Sequence, residues 1–216
     1  MSRIAVVHLD ESCLGNGRDG ENPGGYAGLI EVRTSSGIQR RDFYGHSPAT
    51  TNNRMALIGA TTALQLLGGK GARMQALMVS DSEYLVKGIR VWAPAWEARG
   101  WKRAAGPVEN LHLWQALVAA ARRHEVQWTW VRGHAGHPKN EYVDRLAVDA
   151  AREQKASAGA VESEFLKWLA ARQAKGKYAG YDPDLDFEEL ERRIAAGESF
   201  PVSIKPPHAG FREGTA

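Results

Sequence analysis

Thr51-Asn52-Asn53-Arg54-Met55-Ala56-Leu57 opens the first helix that the sequence predicts. Its place between two apolar runs, each leading into an aspartate, decides the fold. Thr51 or Asn52 can cap the helix. Leu57, Ala60, Leu64 and Leu67 recur at helical spacing over about Asn53–Leu67, and Gly68-Gly69 ends it. Upstream, Ile4-Ala5-Val6-Val7-His8-Leu9 is apolar or nearly so on both faces before it reaches Asp10, as in a strand buried mid-sheet. Downstream, Ala76–Ser80 reads as another buried strand, with Asp81 directly after it.

Between Asp10 and the helix lies a Gly- and Asn-rich loop, Gly15 to Gly25. Two strands follow, Tyr26–Arg33 and Ile38–His46, turning at Ser35-Ser36-Gly37 as an antiparallel hairpin. After Asp81 the pattern gives a short helix, Ser82–Ile89. Arg90 to Gly106 resists a simple assignment. A helix over about Val108–His124 carries Leu111, Trp114, Val118 and Ala121 on one face. Val126, Trp128 and Trp130 alternate with polar residues as in a strand with one covered face. The last core helix starts at Pro138 and runs to about Glu153. The expected class is α/β: a mixed five-stranded sheet flanked by helices, in a catalytic domain of residues 1–155. Residues 156–216 form a C-terminal extension, helical around Phe165, Leu166 and Leu169. It carries six acidic side chains between Tyr181 and Glu191, and is extended or mobile from Pro201.

A chain of 216 residues suffices for one domain with an appendage. No apolar run approaches the ~18 residues that span a membrane, so no membrane partner is expected. The start reads as a strand rather than a signal peptide. The single Cys13 excludes an internal disulfide and suits a reducing cytoplasm. A net charge of +3 and a pI near 9.0 permit a polyanionic partner without demanding one.

The scattered acids carry the chemistry. Phosphodiester cleavage by two metal ions needs carboxylates converging where two Mg²⁺ can sit about 3.5–4 Å apart. Mg²⁺ prefers such hard oxygen ligands. Asp10 and Asp81 end adjacent central strands, where open α/β sheets place their sites. Asp144 lies on the helix that begins after His134, with Asn140 one turn earlier on the same face.

The chain resembles the type 1 ribonucleases H. The resemblance is carried by Asp10-Glu11-Ser12-Cys13-Leu14-Gly15-Asn16, Pro23-Gly24-Gly25-Tyr26, Thr50-Thr51-Asn52-Asn53-Arg54-Met55 and Ser80-Asp81-Ser82-Glu83-Tyr84. Trp92 through Gly100-Trp101-Lys102, Pro107-Val108-Glu109-Asn110-Leu111 and Trp130-Val131-Arg132-Gly133-His134-Ala135-Gly136-His137-Pro138-Lys139-Asn140-Glu141 complete it. These fragments cover roughly residues 3 to 153 in the family's order and spacing. The resemblance implies a monomeric endonuclease that hydrolyses RNA in RNA–DNA hybrids with two Mg²⁺, or Mn²⁺ as a substitute. It makes Asp10, Asp81 and Asp144 three of four metal-binding carboxylates, and His134 a mobile-loop histidine that aids proton movement or product release. Asn16, Thr51 and Asn52 match positions that contact the nucleic acid. Trp92, Trp96 and Lys102 fall in a basic handle that grips the DNA strand.

Two positions depart from the family. Its fourth carboxylate, a Glu directly after Arg-Met, is Ala56 here, and its Gly after the first aspartate is Glu11. Ala56 admits three accounts: an engineered change, compensation with Glu11 as the nearest candidate, or a poor nuclease that mainly binds hybrids. Alternation of successive strand side chains argues against Glu11 in that role unless the strand ends or bulges at Asp10, and Glu11 taken alone reads as a solvated surface acid. Trp114, Trp128 and Trp130 read as core, and Trp92, Trp96 and Trp101 as packing more than DNA contact. His137 reads as a helix-start residue.

Overall fold

The computed structural model describes residues 3–15, 22–103 and 106–205; Asn16 lies outside them. The elements in chain order are β1 (Arg3–Cys13), β2 (Gly24–Thr34), β3 (Gly37–Ser47), α1 (Asn52–Leu67), β4 (Met74–Ser80), α2 (Glu83–Lys87), a π-helical turn (Gly88–Trp92) and α3 (Ala93–Glu97). A small hairpin of β5 (Lys102–Arg103) and β6 (Gly106–Pro107) follows. Then come α4 (Leu111–Ala121), β7 (Glu125–Trp130), α5 (Pro138–Glu153), β8 (Val161–Glu162), α6 (Phe165–Gln173) and α7 (Pro183–Ala195).

The main sheet has the order β7-β4-β1-β2-β3-β8. β1, β2 and β3 are antiparallel neighbours, β2 and β3 joined by the two-residue turn Ser35-Ser36, while β4 runs parallel to β1 and β7 parallel to β4. The five expected strands are present, and the C-terminal extension adds β8 as a short sixth on β3.

Strand alternation divides the core. Ala5, Val7 and Leu9 face α1 and α4, in one cluster with Ala56, Leu57, Ala60, Leu64, Trp114 and Leu117. Val6, Leu77 and Val79 face the other way, against Phe187, Leu190 and Ile194 of α7. Leu29 meets Tyr142 and Val143 of α5 and Phe165 of α6. Phe165 and Phe187 are fully buried, and each such side chain contributes on the order of 1.5–3 kcal/mol. α5 lies so close on β2 that a Cβ at Gly25 would stand 2.4 Å from the Ala147 carbonyl oxygen.

Several details differ from the sequence reading. Ser82–Ile89 is only the beginning of a longer helical rod, in which α2 passes through the π-helical turn into α3. α4 starts at Leu111 because Asn110 holds a left-handed φ of 54°. Its buried residues are Trp114, Leu117 and Ala120, with Leu111, Val118 and Ala121 at the margin. The segment after Pro201 is extended alongside β7: Trp130 N donates to Val202 O (2.6 Å) and Ile204 N to Trp130 O (2.9 Å). No helix among the described residues is long and apolar enough to cross a membrane.

Candidate active site

Asp10, near the C-terminal end of β1, is 7% exposed. Its Oδ1 accepts from the Glu11 backbone N–H (2.7 Å) and its Oδ2 from Asn140 Nδ2 (3.1 Å). Parallel pairing of β1 with β4 ends at Leu9↔Ser80, so the next residues, Asp10 and Asp81, leave the two strands side by side. Asn140 also hydrogen-bonds Asp81, so one buried amide serves both acids. α5 presents Asn140 because His137 caps its start, the ring nitrogen Nδ1 accepting from Asn140 N. His137 is thus the helix-start residue that the sequence implied.

Burial raises the Asp10 carboxyl well above the carboxylate range, and Asp81, Glu11 and Asp144 add to the effect as like charges. Burial also raises Asp81, against hydrogen bonding by Asn140; Asp144 pushes it further up and His134 pulls it down. At Asp144 burial again leads and His134 opposes it. The three acids and His134 therefore share one electrostatic site. His134 is exposed on a left-handed turn with a φ of 51°. Its neighbour Gly133 approaches closely: a Cβ there would stand 2.3 Å from Asp81 Oδ2.

Glu11 is not a solvated acid. β1 neither ends nor bulges at Asp10; its pairing with β2 runs through Asp10↔Ala27 and Glu11↔Tyr26 to Cys13. Alternation puts Asp10 on the face of α5. By the same rule Glu11 is on the face of Leu9, which packs in the cluster that contains Ala56. The half-buried Glu11 carboxyl is pushed up to about 8, by burial first and then by Asp81, with a Ser82 hydrogen bond working against both. Ala56 itself is 3% exposed.

Thr51 caps α1, accepting from Arg54 N at 3.4 Å. Cys13 Sγ reaches Thr50 O (3.4 Å), which brings the start of α1, with Thr51 and Asn52, to the end of β1 that carries Asp10. Trp92, Trp96 and Lys102 stand apart. Trp92 packs on Tyr84 (ring centroids 5.9 Å) and Trp96 on Trp114 (5.8 Å), while Lys102 and Arg103 are exposed on the β5–β6 hairpin. Trp130 is half-buried rather than core; its indole N–H donates to Asp81 O (2.8 Å). The sequence reading placed Asn140 on the face of Asp144 but did not make it a site residue. Its i, i+4 spacing to Asp144 was the available signal.

The ribonuclease H family model matches residues 2–152. The chain belongs to the ribonuclease H family. The ribonuclease H of Aromatoleum aromaticum is 46% identical over 155 residues, 70% of this chain and 94% of that protein. The ribonuclease HI of Caulobacter vibrioides is 41% identical over 154 residues, 71% and 96% of the two chains. A solved structure described as LC9-RNase H1, a type 1 RNase H with the type 2 active-site motif, is 40% identical with a TM-score of 0.76, and covers 99% of both chains. As a type 1 ribonuclease H this chain is a nuclease of RNA–DNA hybrids.

Among the described residues no three His, Cys, Asp or Glu side chains are grouped as a ready-made metal site. The donor set nevertheless fits a hard divalent cation. It consists of carboxylate oxygens, crowded enough to add to one another's raised pKa, with the exposed His134 beside them.

Proposed function

We propose that the chain hydrolyses the RNA strand of RNA–DNA hybrids through a carboxylate set of Asp10, Glu11, Asp81 and Asp144, with Glu11 in the role of the carboxylate absent at Ala56. The observation that carries this reading is the side of the sheet on which Glu11 stands. It is on the face of α1, where a helix carboxylate at position 56 would approach, and within electrostatic reach of Asp81. LC9-RNase H1, described as a type 1 enzyme with a type 2 active-site motif, supports the reading, because this chain too departs from the type 1 pattern at the active site.

Asp10, Glu11, Asp81 and Asp144 would hold two Mg²⁺, or Mn²⁺, which lower the pKa of the attacking water and neutralise the leaving oxygen. Asn140 keeps Asp10 and Asp81 together, which lowers the cost of gathering like charges before a cation arrives. His134, exposed at the rim beside Asp81 and Asp144, exchanges the proton of the leaving group with solvent. Thr51 and Asn52 present the start of α1 to the hybrid backbone, and the β5–β6 hairpin with Lys102 grips the DNA strand. Trp92 and Trp96 root that hairpin on Tyr84 and Trp114.

The test compares the unsubstituted protein with Glu11→Gln and Ala56→Glu on a labelled hybrid, in Mg²⁺ and in Mn²⁺. The protein as it stands should cut. Glu11→Gln should lose about a hundredfold in kcat or more, ~2.7 kcal/mol of barrier. If the unsubstituted protein is inert and Ala56→Glu restores cleavage, Glu11 has not taken the role. A protein that holds hybrid in EDTA and in Mg²⁺ but never cuts would be a binder instead.

A further inference from the structure

The C-terminal extension grips both ends of the segment that carries His134 and Asn140. Lys139, the residue before Asn140, is fully buried; its ammonium lies 2.7 Å from Glu31 Oε2 of β2 and 2.7 Å from Asp186 Oδ2 of α7. Asp186 also accepts from the Tyr181 hydroxyl (3.0 Å), and Lys139 donates to Pro183 O (3.4 Å). Glu141, the residue after Asn140, accepts from Lys177 Nζ (2.5 Å) and from the Tyr178 hydroxyl. At the other end, Val202 and Ile204 hold the backbone of Trp130, whose indole ties to Asp81. All of these extension residues lie beyond the family match, which ends at residue 152.

A buried ion pair adds little net stability over an apolar contact of the same size. The apolar anchors Phe165, Phe187 and Leu190 already fasten the extension to the domain. What a fully buried ammonium between two carboxylates does supply is direction. It fixes the rotation of the first turn of α5 about its axis, and Asn140 sits on that turn. We propose that Asp186 is a positioning residue, acting through Lys139 to hold the Asn140 amide on Asp10 and Asp81, so that the extension forms part of the catalytic apparatus. This rests on the reading of the carboxylate site given above.

The test uses the full chain and its Asp186→Asn variant, which keeps the volume and removes the charge. Tyr181→Phe, which removes only the hydroxyl donor to Asp186, is a milder second variant. Arg33→Ala is the control: it cuts the pairs of Arg33 with Glu188 and Glu191, another tie to α7, made at positions that touch neither Lys139 nor Asn140. In the metal-free ¹⁵N-labelled proteins the Asn140 side-chain amide, assigned by its loss in Asn140→Ala, should shift and exchange faster in Asp186→Asn. It should move the same way, by less, in Tyr181→Phe, and stay in place in Arg33→Ala. With hybrid and Mg²⁺, at a temperature where every variant is folded, Asp186→Asn should lower kcat about tenfold with KM within about twofold. An unmoved Asn140 amide in Asp186→Asn, or an equal fall in kcat from Arg33→Ala, would overturn the proposal. Failure of the unsubstituted protein to cleave would count against the carboxylate reading alone, since the amide signal needs no turnover.

Discussion

Asn140 and Asp10 meet 130 positions apart in the chain, Nδ2 of the amide donating to Oδ2 of the carboxylate at 3.1 Å. The same amide bonds Asp81, so two carboxylates that repel one another share a single neutral donor. Replacing Asn140 by Ala should let them separate and lower kcat about ten- to a hundredfold, since small misplacements at a reacting centre are costly. Asn140→Asp puts a further acid into the crowd and should do no better. Hybrid cleavage together with calorimetric Mg²⁺ titration checks this; unchanged kcat and Mg²⁺ affinity in Asn140→Ala would show the bond to be incidental.

Gly133→Ala tests how closely the histidine loop fits. Its new Cβ would arrive 2.3 Å from Asp81 Oδ2, so the loop or the carboxylate must move. Cleavage should fall about tenfold or more. The melting temperature should change by only a few degrees, as expected for a substitution outside the core. A variant with full activity would mean that the loop has room to yield without disturbing Asp81.

Lys102 and Arg103 are exposed on their hairpin, where Arg103 Nε donates to Gly106 O (3.3 Å). If both meet phosphates, Lys102→Ala/Arg103→Ala should raise KM for hybrid and reduce the slope of log affinity against log salt by about 2, near 0.9 for each lost contact. kcat should hold. Filter binding across a salt series reads the slope, and an unaltered slope would make these charges mere solvated surface.

Two buried groups, His8 and Asp186, contribute stability that acid removes, against the raised carboxyls of the site, which work the other way. His8, 1% exposed and packed on the His137 ring, has its pKa held well below the ordinary value by burial first and then by His137 and Lys139. Its unfolded form takes up a proton below about pH 6.5 while the folded form does not, so stability declines as pH falls through that value. At Asp186 burial acts upward, but Lys139 and His137 outweigh it and leave the carboxyl below its usual range. A depressed carboxylate stabilises above its unfolded pKa of about 3.9, and the contribution is lost as pH falls below that. Because the raised carboxyls of Asp10, Glu11, Asp81 and Asp144 gain stability as pH falls, these contributions are read by difference: in denaturant melts the stability gap between the unsubstituted protein and Asp186→Asn should hold from pH 8 to about 4 and narrow below it. A gap that stays constant down to about pH 3 would contradict this assignment.

The hairpin, α1, the central strands and the Asp10, Asp81, Asp144 and His134 constellation were legible because each rests on a local pattern: alternation, helical spacing, or an acid at a strand end. The rod from Glu83 to Glu97 was not. Its π-helical turn at Gly88–Trp92 breaks the 3.6-residue period, and it sits where Gly88 lets the Trp114 ring come within 2.1 Å of where a Cβ would be. Alternation sets Glu11 on the face opposite Asp10, which speaks against a shared site, but carried across to α1 the same rule brings Glu11 to the face of Ala56. The docking of the extension was hidden too, because a buried Lys139 paired with Glu31 and Asp186 looks, in one dimension, like three ordinary surface charges.

The extension also decides how this sheet meets other molecules. On one flank, Ser157 pairs with both backbone groups of Tyr44, β8 pairs with Arg41 and Asp42, and Ser163 N donates to Arg40 O, which occupies the outer side of β3. On the other flank, Arg90 takes Trp128 O and residues 202–204 take Trp130, which occupies the outer side of β7. An unpaired flank is where a neighbouring chain adds its own strand and aggregation begins. By covering parts of both flanks, the extension, with Arg90 beside it on β7, leaves a second copy less edge to start on, and concentrated or partly warmed protein should stay dispersed where a chain cut at residue 155 would cluster.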